Sequence, residues 1–410
     1  MSMTERFAVE LGKLAASQAL YPKESMLAVE ERYKSLFIGL PKESSFQENR
    51  IGLTPNAVKQ LTDQGHEIWV ETGAGGPSKY SDNDYSEAGA RIVYSCKEVY
   101  EAGIILKIAP PTYDEIEYLR PGQTLISALH FGNLTSDYIN ALLRKKINAI
   151  SFELIRDKSE SKPVVRAMSE IAGSSAMLIA AEYLSSSKDG KGVILGGITG
   201  VAPSKVVIMG AGTVAEYAAR AALGLGAEVK VFDNHIYKLR RLKHNIGQPI
   251  FTSTLDKTIL HHELKNADVV IGALVAEEGR MACMVEEGVV AQMNPGSIII
   301  DVCIDQGGCF ETSELTSHSR PIFRKYDIIH YCVPNIASRV PRTASTALSN
   351  IFTPIFTEIS KFGGINEVLF MNEHYRSGVY IYKGSLTNSQ IAKKFGMRYK
   401  ELGLMIAVRN

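Results

Sequence analysis

The run Lys205-Val206-Val207-Ile208-Met209-Gly210-Ala211-Gly212-Thr213-Val214-Ala215 has the residue types and spacing to hold a pyrophosphate. It reads as a strand, a glycine turn and a helix start. Gly210 suits the tight turn, Gly212 lets the backbone approach a phosphate without a Cβ in the way, and Ala215 lets the helix pack close to the strand. An anion there would meet unpaired N–H groups and the positive end of the helix dipole. A glycine motif alone says little, but here the flanking strand and helix are both present. About twenty residues on, Val231-Phe232-Asp233 ends the next apolar run. A carboxylate at that place accepts from ribose hydroxyls and disfavours a 2′-phosphate, so the pattern selects NAD over NADP. The plain alternative is a turn that packs a strand on a helix and binds nothing.

Four more polar residues stand at strand ends or in loops beside strands. Arg50 follows Glu48-Asn49 in the loop after the first apolar run. Lys107 lies inside Ile104-Ile105-Leu106-Lys107-Ile108, where an ammonium is costly unless paired or facing a cavity. His130 ends the run that begins at Leu125, and Asp305 follows Val302-Cys303-Ile304. Parallel sheets bind ligands beyond the carboxyl ends of their strands, which suits His130 and Asp305. Each has a plain reading too. Arg50 reads as a solvated loop residue, Lys107 as a snorkelling side chain and His130 as a satisfied strand-end histidine. Asp305 before Gln306-Gly307-Gly308 could simply close an Asx-turn.

The elements that must position these residues are legible as alternation. Apolar runs at 35–40, 67–71, 103–108, 124–129 and 148–153 alternate with helical stretches. Thr54-Pro55 marks a helix start with proline at its first position. This order predicts βαβ units and a parallel α/β sheet. A polar stretch, Glu160-Ser161-Lys162-Pro163, closes the series, and a long Ala- and Met-rich helix is expected over 168–185. A glycine-dense loop runs from Lys188 to Gly200. A second series follows, with strands at 206–209, 228–232, 269–272 and 297–301 and helices at 213–223 and 343–361. Near the N-terminus Phe7, Leu11 and Leu14 recur at helical spacing and predict an amphipathic helical extension.

Composition narrows the function classes. The 410 residues carry 45 basic and 44 acidic side chains, without the basic excess of a general polyanion binder, so nucleic acid is not an expected partner. Five cysteines without a CxxC pair give neither a disulfide framework nor a zinc ribbon. No metal is expected, and the thiols suit a reducing cytoplasm. No apolar run approaches the roughly 18–20 residues of a membrane span. Glu5, Arg6, Glu10 and Lys13 interrupt any signal-peptide core.

These positions sit in stretches that resemble the alanine dehydrogenase / nicotinamide-nucleotide transhydrogenase alpha-subunit family. The matching stretches in the first half are Pro41-Lys42-Glu43, Glu48-Asn49-Arg50-Ile51-Gly52-Leu53-Thr54-Pro55, Gly65-His66-Glu67 and Glu71-Thr72-Gly73-Ala74-Gly75. Later come Met168-Ser169-Glu170-Ile171-Ala172-Gly173, Ile304-Asp305-Gln306-Gly307-Gly308, and Asn335 with Val340-Pro341-Arg342-Thr343. The chain departs from the family pattern in four places, one of them the NAD fingerprint, whose usual glycine-rich approach ends here in Ala215-Glu216. Lys107-Ile108-Ala109-Pro110-Pro111 stands where members often have Lys-Val-Lys-Glu-Pro, Asn335-Ile336-Ala337 where Asn-Met-Pro is usual, and Phe131-Gly132-Asn133 follows His130.

The resemblance implies two Rossmann-like domains with a cleft between them. Residues 35–163 and 341–410 would form the substrate domain and 164–340 the NAD domain, after a helical extension at 1–34. It implies that Arg50 holds a substrate carboxylate, that Lys107 lies beside the substrate carbonyl, and that His130 and Asp305 handle protons. Ser169, Gly210, Gly212, Ala215, Asp233, Lys238, Leu274, Val275, Asn335 and the stretch from Val302 to Asp305 would line the cofactor. The implied reaction is reversible NAD-dependent deamination of L-alanine to pyruvate and ammonia by a cytoplasmic homo-oligomer, a hexamer. Two alternatives stand beside it: a soluble transhydrogenase-like subunit and a non-catalytic NAD-sensing protein.

Overall fold

The computed structural model describes residues 33–45, 47–129, 132, 134–274 and 285–407. The extension expected over 1–34 falls outside them except at Tyr33 and Lys34, and so do His130 and Val275.

Strands form where short apolar, β-branched runs are bounded by turn residues. The first series is β1 (Phe37–Leu40), β2 (Glu67–Glu71), β3 (Arg91–Val93), β4 (Ile104–Leu106), β5 (Thr124–Ser127) and β6 (Asn148–Ser151). The second is β7 (Lys205–Met209), β8 (Glu228–Phe232), β9 (Phe251–Ser253), β10 (Val269–Gly272), β11 (Ile298–Asp301), β12 (Ile322–Lys325) and β13 (Ile328–Tyr331). The chain then returns to add β14 (Val379–Tyr382) and β15 (Ser385–Leu386). One eight-stranded sheet has the order β15-β14-β6-β5-β4-β1-β2-β3, and a seven-stranded sheet the order β12-β13-β11-β10-β7-β8-β9.

These are two α/β domains, but their sheets are not wholly parallel. β12 runs antiparallel to β13, β14 to β6 and β15 to β14. The connections explain two of these reversals. Tyr326-Asp327 has φ of 54° and 58°, and Lys383-Gly384 has 47° and 73°. Two successive positive φ angles make the tight hairpin turn that matches strand twist. The central strands β5, β6, β10, β11 and β13 are buried at every residue, as strands covered on both faces must be.

Four helices position the site: α1 (Pro55–Asp63), α2 (Pro163–Leu184), α3 (Thr213–Gly224) and α4 (Pro341–Lys361). α1, α2 and α4 each begin with proline, where a missing N–H leaves no intrahelical bond unmade. Thr54 caps α1 through its backbone alone, with no side-chain bond. α2 crosses α3 so closely that a Cβ on Gly173 would stand 2.3 Å from the Val214 carbonyl oxygen. α2 also corrects the reading of apolar runs. It is long and apolar enough, by length and composition, to cross a membrane. Its Ala172, Ala176, Met177, Ile179, Ala180 and Leu184 instead belong to the core of the seven-stranded sheet, which accounts for their apolarity.

Candidate active site

Arg50 lies between β1 and α1, and hydroxyls from the returning chain pin its loop. Ser338 Oγ accepts from Asn49 N–H at 3.0 Å, Ser345 Oγ from Ile51 N–H at 3.0 Å and Ser349 Oγ from Thr54 N–H at 2.8 Å. Ser345 and Ser349 share a face of α4 at helical i, i+4 spacing. The guanidinium is fixed as firmly as the loop. Arg50 Nε donates to Glu48 Oε1 at 2.7 Å, and Nη2 donates to Oε2 at 2.5 Å. Asn335 Nδ2 donates to that same Oε2 at 2.9 Å. Burial pushes the Glu48 carboxyl up, but the Arg50 and Asn335 donors outweigh it and hold its pKa below the usual value. Glu48 takes one N–H from Nε and one from Nη2 of the five on a guanidinium. The remaining edge, Nη1 and the second Nη2 proton, has the geometry to fork a carboxylate. Nη1 now faces the Met168 sulfur of α2 at 3.2 Å.

The junction with the second domain runs through the same loop. The His318 backbone N–H donates to Gln47 Oε1 at 2.6 Å, and Ser338 Oγ donates to the Gln47 carbonyl at 2.7 Å. A cavity of about 570 Å³ opens here, lined by residues that include Gln47, His318, Phe323, Pro334 and Asn335. Burial lowers the pKa of the His318 ring, and its Nε2 is buried without a hydrogen-bond partner.

The seven-stranded sheet reverses its strand order at β7, with β8 on one side and β10 on the other. Ligands bind at such switch points beyond the strand ends. Gly210 follows β7 at φ 117°, and a Cβ there would stand 2.3 Å from the Ala273 carbonyl oxygen beyond β10. Gly212 is the N-cap of α3 and makes no side-chain cap bond. Among the described residues no atom lies within 4 Å of the place its Cβ would take. The first-turn N–H groups of α3 are therefore presented to an incoming anion. Ala215 is fully buried against the sheet.

Asp233 ends β8. Its Oδ2 accepts from Ala211 N–H at 2.8 Å and its Oδ1 from His235 N–H at 2.7 Å, so the carboxylate also braces the glycine turn. His235 Nδ1 lies 2.9 Å from Oδ1. A carboxylate oxygen accepts two bonds, which leaves Oδ2 one for a ribose hydroxyl. Lys238 is in the first turn of the helix after β8. Leu274 follows β10 and Val302 follows β11, whereas Ser169 lies on α2 beside Met168. This donor set fits a dinucleotide.

Asp305 lies in a single 3-10 turn, Ile304–Gln306, just beyond β11. It is exposed, and the chain leaves through Gly307 and Gly308 at φ 104° and 77°. The buried Asp301 shapes this turn. Its Oδ2 accepts from Cys309 N–H at 2.8 Å and Ser313 Oγ–H at 2.7 Å, and its Oδ1 from Cys303 N–H at 3.2 Å. A Cβ at Gly308 would stand 2.7 Å from Asp301 Oδ2, so a side chain there would collide with the carboxylate that folds the turn. Burial pushes the Asp301 carboxyl up, opposed by those donors.

Lys107 sits among carboxylates. Its side chain has 0% exposure, with Nζ 2.9 Å from Glu43 Oε2 and 3.4 Å from Glu115 Oε1. Glu43 Oε1 also accepts from Ile108 N–H at 2.6 Å. Burial pushes the Glu43 carboxyl up, and Lys107 is the main opposing influence. A buried ammonium must be paired, and this one is paired with two carboxylates, of which Glu43 also feels the charge of Glu48. Lys107→Met should leave both carboxylates without a counter-charge and cost about 3–5 kcal/mol of stability, read as a lower urea midpoint. A variant with the parent midpoint and little turnover would place Lys107 in the reaction rather than in the fold.

Of the residues singled out in the sequence, the structure joins Arg50 to Asn335 through Glu48, groups Gly210, Gly212, Ala215 and Asp233, and sets Asp305 at a strand end. Lys107 is held by Glu43 and Glu115, and His130 and Val275 lie outside the described residues. The carboxylates Glu43, Glu48 and Asp301, the three serines and His318 emerge only in three dimensions.

Fold and site together define a two-domain α/β protein with a dinucleotide crevice in one sheet and a half-buried arginine fork in the other. The chain belongs to the alanine dehydrogenase/PNT family: the model of that family's N-terminal domain matches residues 39–172 and that of its C-terminal domain residues 176–389. It is 36% identical over 366 residues to alanine dehydrogenase 2 of Staphylococcus aureus, covering 89% of this chain and 98% of that one. A solved L-alanine dehydrogenase superposes with a TM-score of 0.81 at 34% identity, over 87% of this chain and 98% of the other. A transhydrogenase from Sinorhizobium meliloti shares the fold, with a TM-score of 0.73 at 23% identity over 86% and 99% of the two chains. NAD is the cofactor of this family, and the crevice fits it.

Proposed function

We propose that the protein catalyses the reversible NAD-dependent oxidative deamination of L-alanine to pyruvate and ammonia. The observation that carries this reading is the Arg50 fork, fixed by Glu48 beside Asn335, in a chain 36% identical to an alanine dehydrogenase. Arg50 binds the substrate carboxylate with the edge that Glu48 leaves free. Gly210, Gly212 and Asp233 would hold NAD, which would supply the hydride acceptor for substrate C2. Asp305 accepts and returns protons as ammonia adds and water leaves. His130 donates toward the C2 oxygen as charge develops on it. Lys107, beside the substrate carbonyl, donates toward the same oxygen. In this reading residues 35–163 with 341–410 surround the substrate and 164–340 surround NAD, in a cytoplasmic homo-oligomer.

Absorbance at 340 nm with NAD and a panel of small amino acids tests the assignment. The expected result is steady NADH formation, fastest with L-alanine. Tight NADH binding without turnover of any member would support the NAD-sensing alternative instead. The ribose site has its own test. Asp233→Ala should narrow the preference for NAD over NADP by about 10-fold or more, since a hydrogen bond to a charged group is worth roughly 1.5–3 kcal/mol. Loss of the Ala211 brace weakens both cofactors alike, so the ratio of the two dissociation constants is the informative quantity. An unchanged ratio would remove Asp233 from the ribose site.

A further inference from the structure

The turn that carries Asp305 is bracketed by two thiols. Cys303 precedes it and Cys309 follows the Gly307-Gly308 pair, and their sulfur atoms lie 3.5 Å apart. Asp301 enforces this approach, because its carboxylate accepts from the backbone N–H of both cysteines. The Cys303 thiol donates to the Leu274 carbonyl at 2.7 Å and lies 3.3 Å from that of Gly272. Both cysteines are buried, while residues 305–307 between them are exposed. Among the described residues no atom lies within 4 Å of a Cβ built on Gly307, so the middle of the turn has room to move.

We propose that Cys303 and Cys309 are a modification site, a thiol pair that hydrogen peroxide oxidises reversibly to a disulfide, locking the Asp305 turn and lowering turnover. A disulfide bond is about 2.05 Å long, so the sulfurs must close by roughly 1.5 Å. Side-chain rotation and a small shift of the two glycines supply that movement. In the first step one sulfur attacks the O–O bond, takes one oxygen as a sulfenic acid and releases water. In the second, the other sulfur attacks the sulfenic sulfur, the S–S bond forms and the hydroxyl leaves as a second water with the remaining thiol proton. The two thiols lose two electrons in total, and the peroxide is reduced to two waters.

The surroundings set the rate. The hydrogen bond from Cys309 and burial together push the Cys303 thiol upward. The thiolate is the nucleophile, so oxidation is slow at neutral pH and quickens as pH rises. Cys332 is a competing buried thiol, pushed up to about 12 by burial. The bond itself is independent of the proposed reaction, whereas the loss of turnover rests on it.

The test uses the full chain, reduced, freed of reductant, treated with hydrogen peroxide and then alkylated. A protease that cuts before aspartate separates Cys303 on 301–304, Cys309 on 305–326 and Cys332 on 327–410, with Cys283 on 268–300. The expected product is 301–304 joined to 305–326. NADH formation from L-alanine should fall by about 10²-fold, the scale of a 1 Å misplacement, and return with dithiothreitol. Cys309→Ser should keep a larger share of its own untreated rate under the same peroxide. Absence of the 301–304 to 305–326 link, a link with undiminished turnover, or an equal loss in Cys309→Ser would each overturn the switch. A chain that never forms NADH from L-alanine would count against the proposed reaction, and the mapped link would still decide the bond.

Discussion

Asp305→Asn should lose about 10²–10⁴ in turnover of L-alanine, the usual cost of removing a general acid–base group, while NADH binds near normally. Asn keeps the shape of the side chain and a hydrogen-bonding group but cannot exchange a proton. The turn itself should survive, because its fold depends on Asp301. That buried carboxylate, not Asp305, accepts from Cys303, Cys309 and Ser313. The two aspartates therefore separate chemistry from architecture. Asp301→Asn should lower the melting temperature as well as the rate, whereas Asp305→Asn should melt near the parent temperature. Near-parental turnover in Asp305→Asn would end the proton-transfer assignment. Failure to fold would favour the Asx-turn reading.

Arg50→Lys should raise the KM for pyruvate by about 10–100-fold, with NADH affinity close to the parent value. A lysine retains the charge but not the planar fork. Glu48 and Asn335 are arranged around that fork, so an ammonium paired with Glu48 has no second edge for a substrate carboxylate. The estimate follows from losing one charge-assisted hydrogen bond, about 1.5–3 kcal/mol. Measured values for pyruvate and NADH separate the readings. Equal losses for both would make Arg50 a brace between the domains rather than a carboxylate clamp.

The sequence revealed local features better than long-range ones. β2, β8 and β10 fall on the expected residues, because each is an apolar run with turn residues at both ends. The glycine fingerprint was legible because its physics is local: strand, turn and helix start lie within one short stretch. β12 and β13 were not, since their hairpin turn is Tyr326-Asp327 and lacks the glycine that advertises such turns. The resemblance implied that 341–410 returns to the first domain, but not the strand β14, whose pairing with β6 joins residues far apart in the chain. The site divides the same way. Arg50 and Asp305 stood out by type and place, but Glu48 appears to a linear reading as one more surface carboxylate. Its role depends on Asn335, 287 positions away. Lys107 was conspicuous as a charge within a strand, and only Glu43 and Glu115 show why it is tolerated there.

The most direct measurement of the central claim follows the hydrogen itself. L-Alanine carrying deuterium at C2 is incubated with the protein and NAD, and the nicotinamide product is isolated. The account predicts one deuterium at C4 of each NADH, formed together with equal amounts of pyruvate and ammonia. NADH without the label, pyruvate without NADH, or no reaction despite bound NAD would contradict it.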